Sequence, residues 1–207
     1  NEFYQNLQSI VKYQIQYPLK KEGIKFDSVL TPILSARFSP NKSKDIKGTD
    51  RIIDYNNIFS LNRIASNETV EGGQSITLGN EFRTLDKNGN EVFSLNLATM
   101  FRDEENPDLP TKSTLNRKTS NIVGEILFKP KKFLDLKYNF SMDNDMQTLN
   151  YNLIDASFSL NNFVTSFEFL EKNNIIGEES YLSNKTTLGL SENSSLSFNT
   201  RRNKQLG

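Results

Sequence analysis

The sequence has 207 residues with 25 basic and 25 acidic side chains, and this zero net charge disfavours a nucleic-acid-binding role, which usually brings a basic excess. Cysteine and histidine are absent, which excludes disulfides, metal sites built on those residues, and Ser-His or Cys-His nucleophilic catalysis within this sequence. No window approaches about 18 consecutive apolar residues, so the sequence holds no candidate transmembrane helix. A transmembrane β-barrel stays possible, because its strands alternate and are only half apolar.

Alternation of apolar and polar side chains begins near the start of the chain. We predict strands over 7–17 and 26–38, followed by the clearest hairpin, GGQSITLGNEFRTLDKNGNEVFSLNLATMFR. In this hairpin, Asn88-Gly89 supplies the positive φ values that a tight turn requires. The second arm places Phe93, Leu95 and Leu97 on one face.

The same alternation continues to the end of the chain. It predicts further strands over 121–128, 133–142, 146–160, 163–170, 181–190 and 196–200. A change of phase near Leu153-Ile154 predicts a β-bulge there. The total is about ten strands, and many have about ten residues, the length that a tilted strand needs to cross a bilayer.

The connections between these strands differ systematically in length. Every odd connection is short: 20–23, 86–90, 129–132, 161–162 and 191–194. The two longest, 39–73 and 102–120, are both even. Short turns at one end and long loops at the other are typical of outer-membrane barrels. We therefore predict an all-β fold, an antiparallel up-and-down transmembrane β-barrel, present here as an incomplete segment of about ten strands.

Charged side chains share one face of the predicted strands. Lys12, Glu81, Arg83 and Lys137 face the same way, as expected for a hydrated barrel lumen or for the solvated face of a soluble sheet. Aromatic residues near the strand ends fit an aromatic girdle, although aromatics also favour strands in general.

No stretch predicts an active site. Asp103-Glu104-Glu105 with Asp108 matches no defined calcium loop, so we interpret it as a solvated acidic loop. The basic stretch 129–132 is expected to be a soluble turn rather than a lipid-phosphate site. We expect no catalytic, cofactor-binding or metal-binding residues and no cofactor.

The segment DYNNIFSLNRIASNETVEGG, residues 54–73, is too polar for a core and sits between two long strands. It resembles the barrel domain of the LptD family, the lipopolysaccharide-assembly (organic solvent tolerance) outer-membrane proteins. The matching positions are Asp54, Asn57, Ile58, Phe59, Ser60, Asn62, Arg63, Val70, Glu71 and Gly73. Ser66, Glu68 and Thr69 depart from the family's Gly, Asp and Arg.

Two flanking stretches extend the resemblance. LTPILSARFSPN resembles a family strand that closes with Pro-Asn, and SNIVGEILFKP resembles the family's Ser-Asp-x-Val-Gly strand with Asn121 in place of Asp. The motif-bearing part covers about residues 30–130.

The resemblance implies a long loop that folds over or into the barrel lumen. We expect Ile58 and Phe59 to anchor it on a small apolar cluster, and Arg63 to pair with Glu68 or Glu71. The residues assigned to this structural and functional loop are Asp54, Asn57, Phe59, Asn62, Arg63, Glu71 and Gly73.

The resemblance also implies a function in the cell outer membrane, the insertion of lipopolysaccharide into the outer leaflet by a translocon. The implied partners are lipopolysaccharide, outer-membrane lipid, an LptE-like lipoprotein plug and periplasmic lipopolysaccharide-bridge proteins, and none is a nucleic acid. Residues 1–207 would then be part of the barrel domain, without the periplasmic jellyroll and the barrel-closing strands. The alternatives are a general outer-membrane porin or receptor barrel and a soluble all-β binding module.

Overall fold

The structure, a computed structural model, describes residues 7–204, so the ends of the predicted domain, residues 1–6 and 205–207, lie outside the described residues. Its strands are β1 (Val11–Gln16), β2 (Leu19–Lys21), β3 (Phe26–Ser39), β4 (Gly73–Asp86), β5 (Glu91–Arg102), β6 (Ile122–Lys131), β7 (Leu134–Met142), β8 (Leu149–Leu160), β9 (Phe163–Lys172), β10 (Glu179–Ser191) and β11 (Ser194–Lys204). Two short 3-10 helices, Thr111–Ser113 and Asn174–Ile176, lie in the connections. Within residues 7–204, no helix has the length and apolar character needed to span a membrane.

All strands belong to one antiparallel sheet with the order β1-β3-β4-β5-β6-β7-β8-β9-β10-β11, and β2 also pairs with β3. β1 and β2 form one arm that is interrupted at Pro18, which has no N–H to donate. Just before it, the Tyr17 N–H still donates to the Pro32 carbonyl at 3.2 Å. The sheet is an up-and-down meander that is not closed, as predicted for a barrel segment of about ten strands.

One local prediction is wrong. Leu153 and Ile154 pair in continuous register with both neighbouring strands, so no bulge lies there. The register shift occurs instead at Asn150, between Leu149 and Tyr151. Leu153 and Ile154 are both apolar because one lies on each face of β8, and no residue is inserted between them.

The connections are sorted as predicted. At one end of the sheet, called the turn end, they are residues 22–25, 87–90, 132–133, 161–162 and 192–193. At the other end, called the loop end, they are residues 40–72, 103–121, 143–148 and 173–178. The two longest connections both start from the first half of the sheet.

The two faces of the sheet differ in chemistry. On β3, Leu30, Leu34 and Phe38 are exposed, whereas the alternate residues Ser35 and Arg37 are buried. The face that carries the buried positions is called the inner face, and the opposite one the outer face. The predicted charged set lies on the inner face: Lys12, Glu81, Arg83 and Lys137.

The apolar core lies on the inner face at the loop end. Residues 40–72 and 103–121 fold over β5 and β6 there and bury a cluster of eight side chains: Ile53, Ile58, Ile64, Ala98, Met100, Leu109, Leu115 and Val123. Met100 interrupts the polar alternation of its strand because these loops cover it completely. The inner face is therefore polar where it is open and apolar where the loops lie on it.

Candidate functional site

The predicted loop segment, residues 54–73, lies on the inner face and leads directly into β4. Its first turn is held by Asp54 and Asn57, because the N–H of each donates to the side-chain oxygen of the other, at 3.0 and 2.9 Å. The Asn57 amide also donates to the Ile52 carbonyl at 2.9 Å. Asp and Asn favour turns through such local bonds, and this turn orients the apolar residues that follow.

The apolar residues after this turn anchor the loop as expected. Ile58 is 1 % exposed within the core, and the Phe59 ring lies on Gly79 of β4. A Cβ at Gly79 would be 2.4 Å from the tip of that ring, so the ring occupies the space that a side chain would need. Tyr55 packs edge-on against Phe59, with ring centroids 5.9 Å apart. Its hydroxyl donates to Glu81 on the sheet at 2.9 Å.

Burial and the hydrogen bond to Glu81 raise the pKa of the Tyr55 phenol above its ordinary value. The phenol therefore stays protonated at neutral pH and donates to the carboxylate. A loop residue and an inner-face residue of β4 are joined in this way.

Arg63 and Glu71 form the central contact of the segment. The Arg63 guanidinium donates to both Glu71 carboxylate oxygens, Nε at 2.9 Å and Nη2 at 2.6 Å. The same guanidinium donates to the Ser75 and Thr77 hydroxyls on β4 at 2.6 and 3.2 Å. Of the two partners considered for Arg63, the structure selects Glu71, while Glu68 is exposed.

Two further arginines surround the same carboxylate. Arg37 on β3 and Arg102 at the end of β5 approach the Glu71 oxygens to 3.9 and 3.8 Å. We call Arg37, Arg63, Glu71 and Arg102 the Arg–Glu cluster. All four side chains are at most 4 % exposed. Three guanidinium groups therefore share one buried carboxylate, and the excess positive charge has to be balanced by other acceptors.

Backbone carbonyls of the loops supply those acceptors. Arg37 donates to the Leu61 and Glu71 carbonyls at 3.1 and 2.7 Å. Arg102 donates to the Gly72 and Leu115 carbonyls, both at 2.6 Å. Because Leu115 belongs to the 103–121 loop, Arg102 joins both long loops to the sheet. Charge-assisted bonds of this kind are stronger than neutral ones and fix geometry.

The last two predicted residues have structural explanations. The Asn62 amide donates to the Ser66 carbonyl at 2.9 Å and closes the turn after Arg63. Gly73 has a φ of 87°, a conformation that favours glycine, and a Cβ there would lie 3.4 Å from an Arg102 nitrogen. The sequence segment therefore brings Arg63, Glu71 and Gly73 together, while Asp54, Asn57 and Phe59 hold the other end of the loop.

Sequence reasoning predicted a long connection over 102–120 but missed that this loop, Arg37 and Arg102 belong to the site. Their one signal is that both arginines occupy inner-face positions close to the loop end of long strands. The two loops also share Ser43, whose hydroxyl accepts from the Gly72 N–H and the Asn106 amide, each at 3.0 Å.

The arrangement is suited to holding loops against the sheet. Within the described residues, no group of three or more acidic side chains is arranged to hold a metal ion. The charges at the site are largely buried under loop backbone. Its geometry fixes a folded double loop against one wall of the sheet.

An up-and-down meander with an apolar outer face, a polar inner face and loops folded inward has the architecture of a segment of an outer-membrane-type β-barrel. The family described as LPS transport system D matches residues 1–202. The chain belongs to this family, LptD, an outer-membrane family that acts in lipopolysaccharide transport. A search of curated proteins found no match.

Proposed function

We propose that this chain is part of the outer-membrane translocon that inserts lipopolysaccharide into the outer leaflet. The observation that carries the proposal is the family match over residues 1–202, which covers both long loops and nearly all of the sheet. Residues 1–207 would be a segment of the barrel domain. The periplasmic jellyroll and the barrel-closing strands of the family would lie in other parts of the full-length protein.

The two faces of the sheet support transport of an amphipathic molecule. A lipopolysaccharide molecule has acyl chains that require an apolar surface and sugars that require a hydrated one. In the proposed mechanism, the acyl chains pass the membrane-facing wall while the sugars pass through the lumen. On the inner face, Lys12 and Glu81 bond to the loop residues Phe59 and Tyr55, while Arg83 and Lys137 are the charged side chains offered to sugars. The outer face offers aliphatic and aromatic side chains to lipid.

The Arg–Glu cluster supports a role for the loops as a fixed part of this passage. It holds residues 40–72 and 103–121 against β3, β4 and β5, so the loops reduce the lumen on one side. The residues assigned to this role are Asp54, Asn57, Phe59, Asn62, Arg63, Glu71 and Gly73. A rigid loop at this place would leave the opposite side of the barrel for the sugar chain.

The proposed partners follow from the same family. They are lipopolysaccharide itself, an LptE-like lipoprotein that plugs the lumen, and the periplasmic bridge proteins that deliver the substrate. The proposed location is the outer membrane, where the loop end faces the outside because short turns of such barrels face the periplasm.

The test is depletion of the full-length protein in cells, followed by an assay of newly made lipopolysaccharide at the cell surface. We expect new lipopolysaccharide to accumulate in the inner membrane or periplasm. Depletion of an unrelated barrel of similar abundance is the control for general envelope damage. Normal surface delivery together with altered uptake of small solutes would contradict the proposal and favour a porin or receptor.

A further inference from the structure

The apolar part of the outer face changes height from strand to strand. On β3 it reaches the loop end at Phe38, whereas on β11 it consists of Leu196 and Phe198 near the turn end. One cross-strand row shows the change: it starts from Leu97 on β5 and passes through Asn152 and Glu171 to Ser180 and Lys204. Along this row, the outward side chains change from apolar on β5 to polar or charged on β8 to β11.

The displacement of the apolar stretch from strand to strand gives the tilt of the strands relative to the membrane normal. Between β4 and β10, the centre of the apolar outer stretch moves toward the turn end by about seven residues relative to the hydrogen-bonded rows. With about 3.3 Å per residue and about 4.8 Å between strands, the apolar band crosses the strands at a tilt of about 40°. Strands of membrane barrels tilt by about 35–45°, so the apolar area is a level belt that the strands cross obliquely.

The belt leaves the loop ends of β10 and β11 outside the hydrocarbon. Along β11, the outward positions after Phe198 are Thr200, Arg202 and Lys204. Phe198 pairs with Thr186, close to the centre of the apolar stretch on β10. At this tilt, Arg202 lies about 10 Å and Lys204 about 15 Å from Phe198 along the membrane normal, near and beyond the edge of an apolar band about 25 Å tall. Because long cationic side chains extend toward the polar layer, both charges reach the depth of lipid headgroups.

The three cations at the loop end of β11 have different neighbours. Arg201 faces inward, donates to Glu179 at 3.2 Å and lies 3.8 Å from the centre of the Tyr181 ring. Arg202 points to the opposite face, where it forms no ion pair with any residue from 7 to 204. The Lys204 ammonium lies 5.1 Å from the centre of the Phe169 ring.

We propose that the outward loop end of β11 binds the phosphate groups of lipopolysaccharide in the adjacent leaflet. Arg202 and Lys204 are the phosphate ligands, and Leu196 and Phe198 contact the acyl chains below them. This inference rests on the proposed function, because that function places the loop end at the outer leaflet. Arginine suits phosphate because its planar guanidinium donates two parallel hydrogen bonds.

The binding test uses the full-length protein in nanodiscs of zwitterionic phospholipid, into which fluorescently labelled lipopolysaccharide is titrated. We expect Arg202→Gln with Lys204→Gln to weaken binding by about tenfold, since two solvent-exposed charge pairs are lost and each contributes only modestly. The matched control is Arg201→Gln, which removes the same charge one residue away on the inner face and should leave binding within about twofold. Lipopolysaccharide without its phosphates should bind the unmodified protein as weakly as phosphorylated lipopolysaccharide binds the double variant.

Three results would overturn the proposal. They are unchanged binding by the double variant, an equal loss in Arg201→Gln, and full binding of the dephosphorylated lipid. A depth measurement gives an independent test if the double variant does not fold. Fluorescent probes on Leu97→Cys and Glu171→Cys occupy the same row, and these 207 residues contain no cysteine that would compete for the label. We expect a hydrocarbon signal at 97 and a more hydrated signal at 171, and equal depths would contradict the belt.

The site and the proposed function can fail separately. Normal surface delivery after depletion would contradict the translocon, and in nanodiscs the protein would still show whether Arg202 and Lys204 bind phosphate. Conversely, intact delivery by the double variant together with weakened nanodisc binding supports the site as a lipid contact of the barrel wall. Unweakened nanodisc binding by the double variant rejects the site whatever the delivery assay gives.

Discussion

The two halves of the sheet share one alternation but are stabilised in different ways. In β1–β6, loops 40–72 and 103–121 cover the inner face and bury an apolar core and the Arg–Glu cluster. In β7–β11, the connections at the loop end are short, and none of them forms a long loop over the inner face. The surrounding lipid determines the polarity of the outer face of a membrane wall. The polarity of the inner face depends on whether a loop or water lies against it.

Charged side chains show the same contrast. Glu71 in the first half is fully buried among three arginines. Glu179 in the second half pairs with Lys172 at 2.8 Å and Arg201 at 3.2 Å, but its side chain is 42 % exposed. Exposed pairs contribute little, while a buried charge that loses its partner is costly. Matched substitutions in the two halves therefore test whether burial by the loops decides stability.

The largest effect is expected from Glu71→Ala. It leaves three guanidinium groups buried without a carboxylate, and removing one partner of such a buried set costs about 3–5 kcal/mol. Glu179→Ala is the matched change and should cost less than about 1 kcal/mol. The measurement is the urea midpoint of the heat-modifiable gel mobility of the full-length protein. Equal midpoints for the two variants would mean that the Arg–Glu cluster does not stabilise the barrel.

Met100→Ala should have the next largest effect. Met100 is 0 % exposed beneath both loops, and truncation of a buried methionine to alanine costs about 2–5 kcal/mol through the cavity it leaves. Met146→Ala removes the same atoms from a 67 % exposed residue and should change stability by less than about 0.5 kcal/mol. The same gel assay compares them. A similar loss of stability in both variants would mean that the stabilising core does not lie under the loops.

Local rules predicted much of the fold. Alternation located the strands, and turn chemistry such as Asn88-Gly89 located the short connections, because each depends on residues close in sequence. The bulge was placed wrongly because Leu153 and Ile154 are apolar on opposite faces, which the alternation rule alone interprets as an extra residue.

The site was predicted only in part, for a physical reason. The loop residues belong to one segment, so the partner of Arg63 was narrowed to Glu68 or Glu71, and the structure selects Glu71. Arg37 and Arg102 reach the same carboxylate from strands far away in the sequence. Spacing in a single sequence does not determine which distant strands meet. The register of the sheet was therefore required to place Arg37 and Arg102 beside Glu71.

Gly79→Ala tests the contact between loop and wall. The new Cβ would meet the Phe59 ring at 2.4 Å and the Leu97 carbonyl at 3.1 Å, and overpacking of this kind costs about 1–3 kcal/mol. In the second half, Gly189→Ala meets its nearest atom at 3.3 Å and should cost less than about 1 kcal/mol. Adding Phe59→Ala to Gly79→Ala should cost less than the sum of the two single changes, because the clash is gone. Additive losses would show that the ring does not sit on Gly79.

Tyr55→Phe is the smallest change and the most specific to the loop. It removes the 2.9 Å hydrogen bond to Glu81, which is worth about 1 kcal/mol. Tyr181→Phe removes the 2.6 Å bond to Glu168 in the second half. Proteolysis within residues 40–72 should rise for Tyr55→Phe and stay unchanged for Tyr181→Phe. Equal cleavage in both variants would contradict a loop held by this bond.

The pH dependence of the same bond has a definite sign. Burial and Glu81 raise the pKa of Tyr55 in the folded protein, so the phenol keeps its proton where an unfolded tyrosine, with a pKa of about 10, has lost it. Its stabilising contribution is therefore complete below about pH 10 and declines as the pH rises toward the folded-state pKa. The loop of the unmodified protein should become protease-sensitive over that range. The Tyr55→Phe variant should show a smaller change, because its residue 55 has no proton to lose.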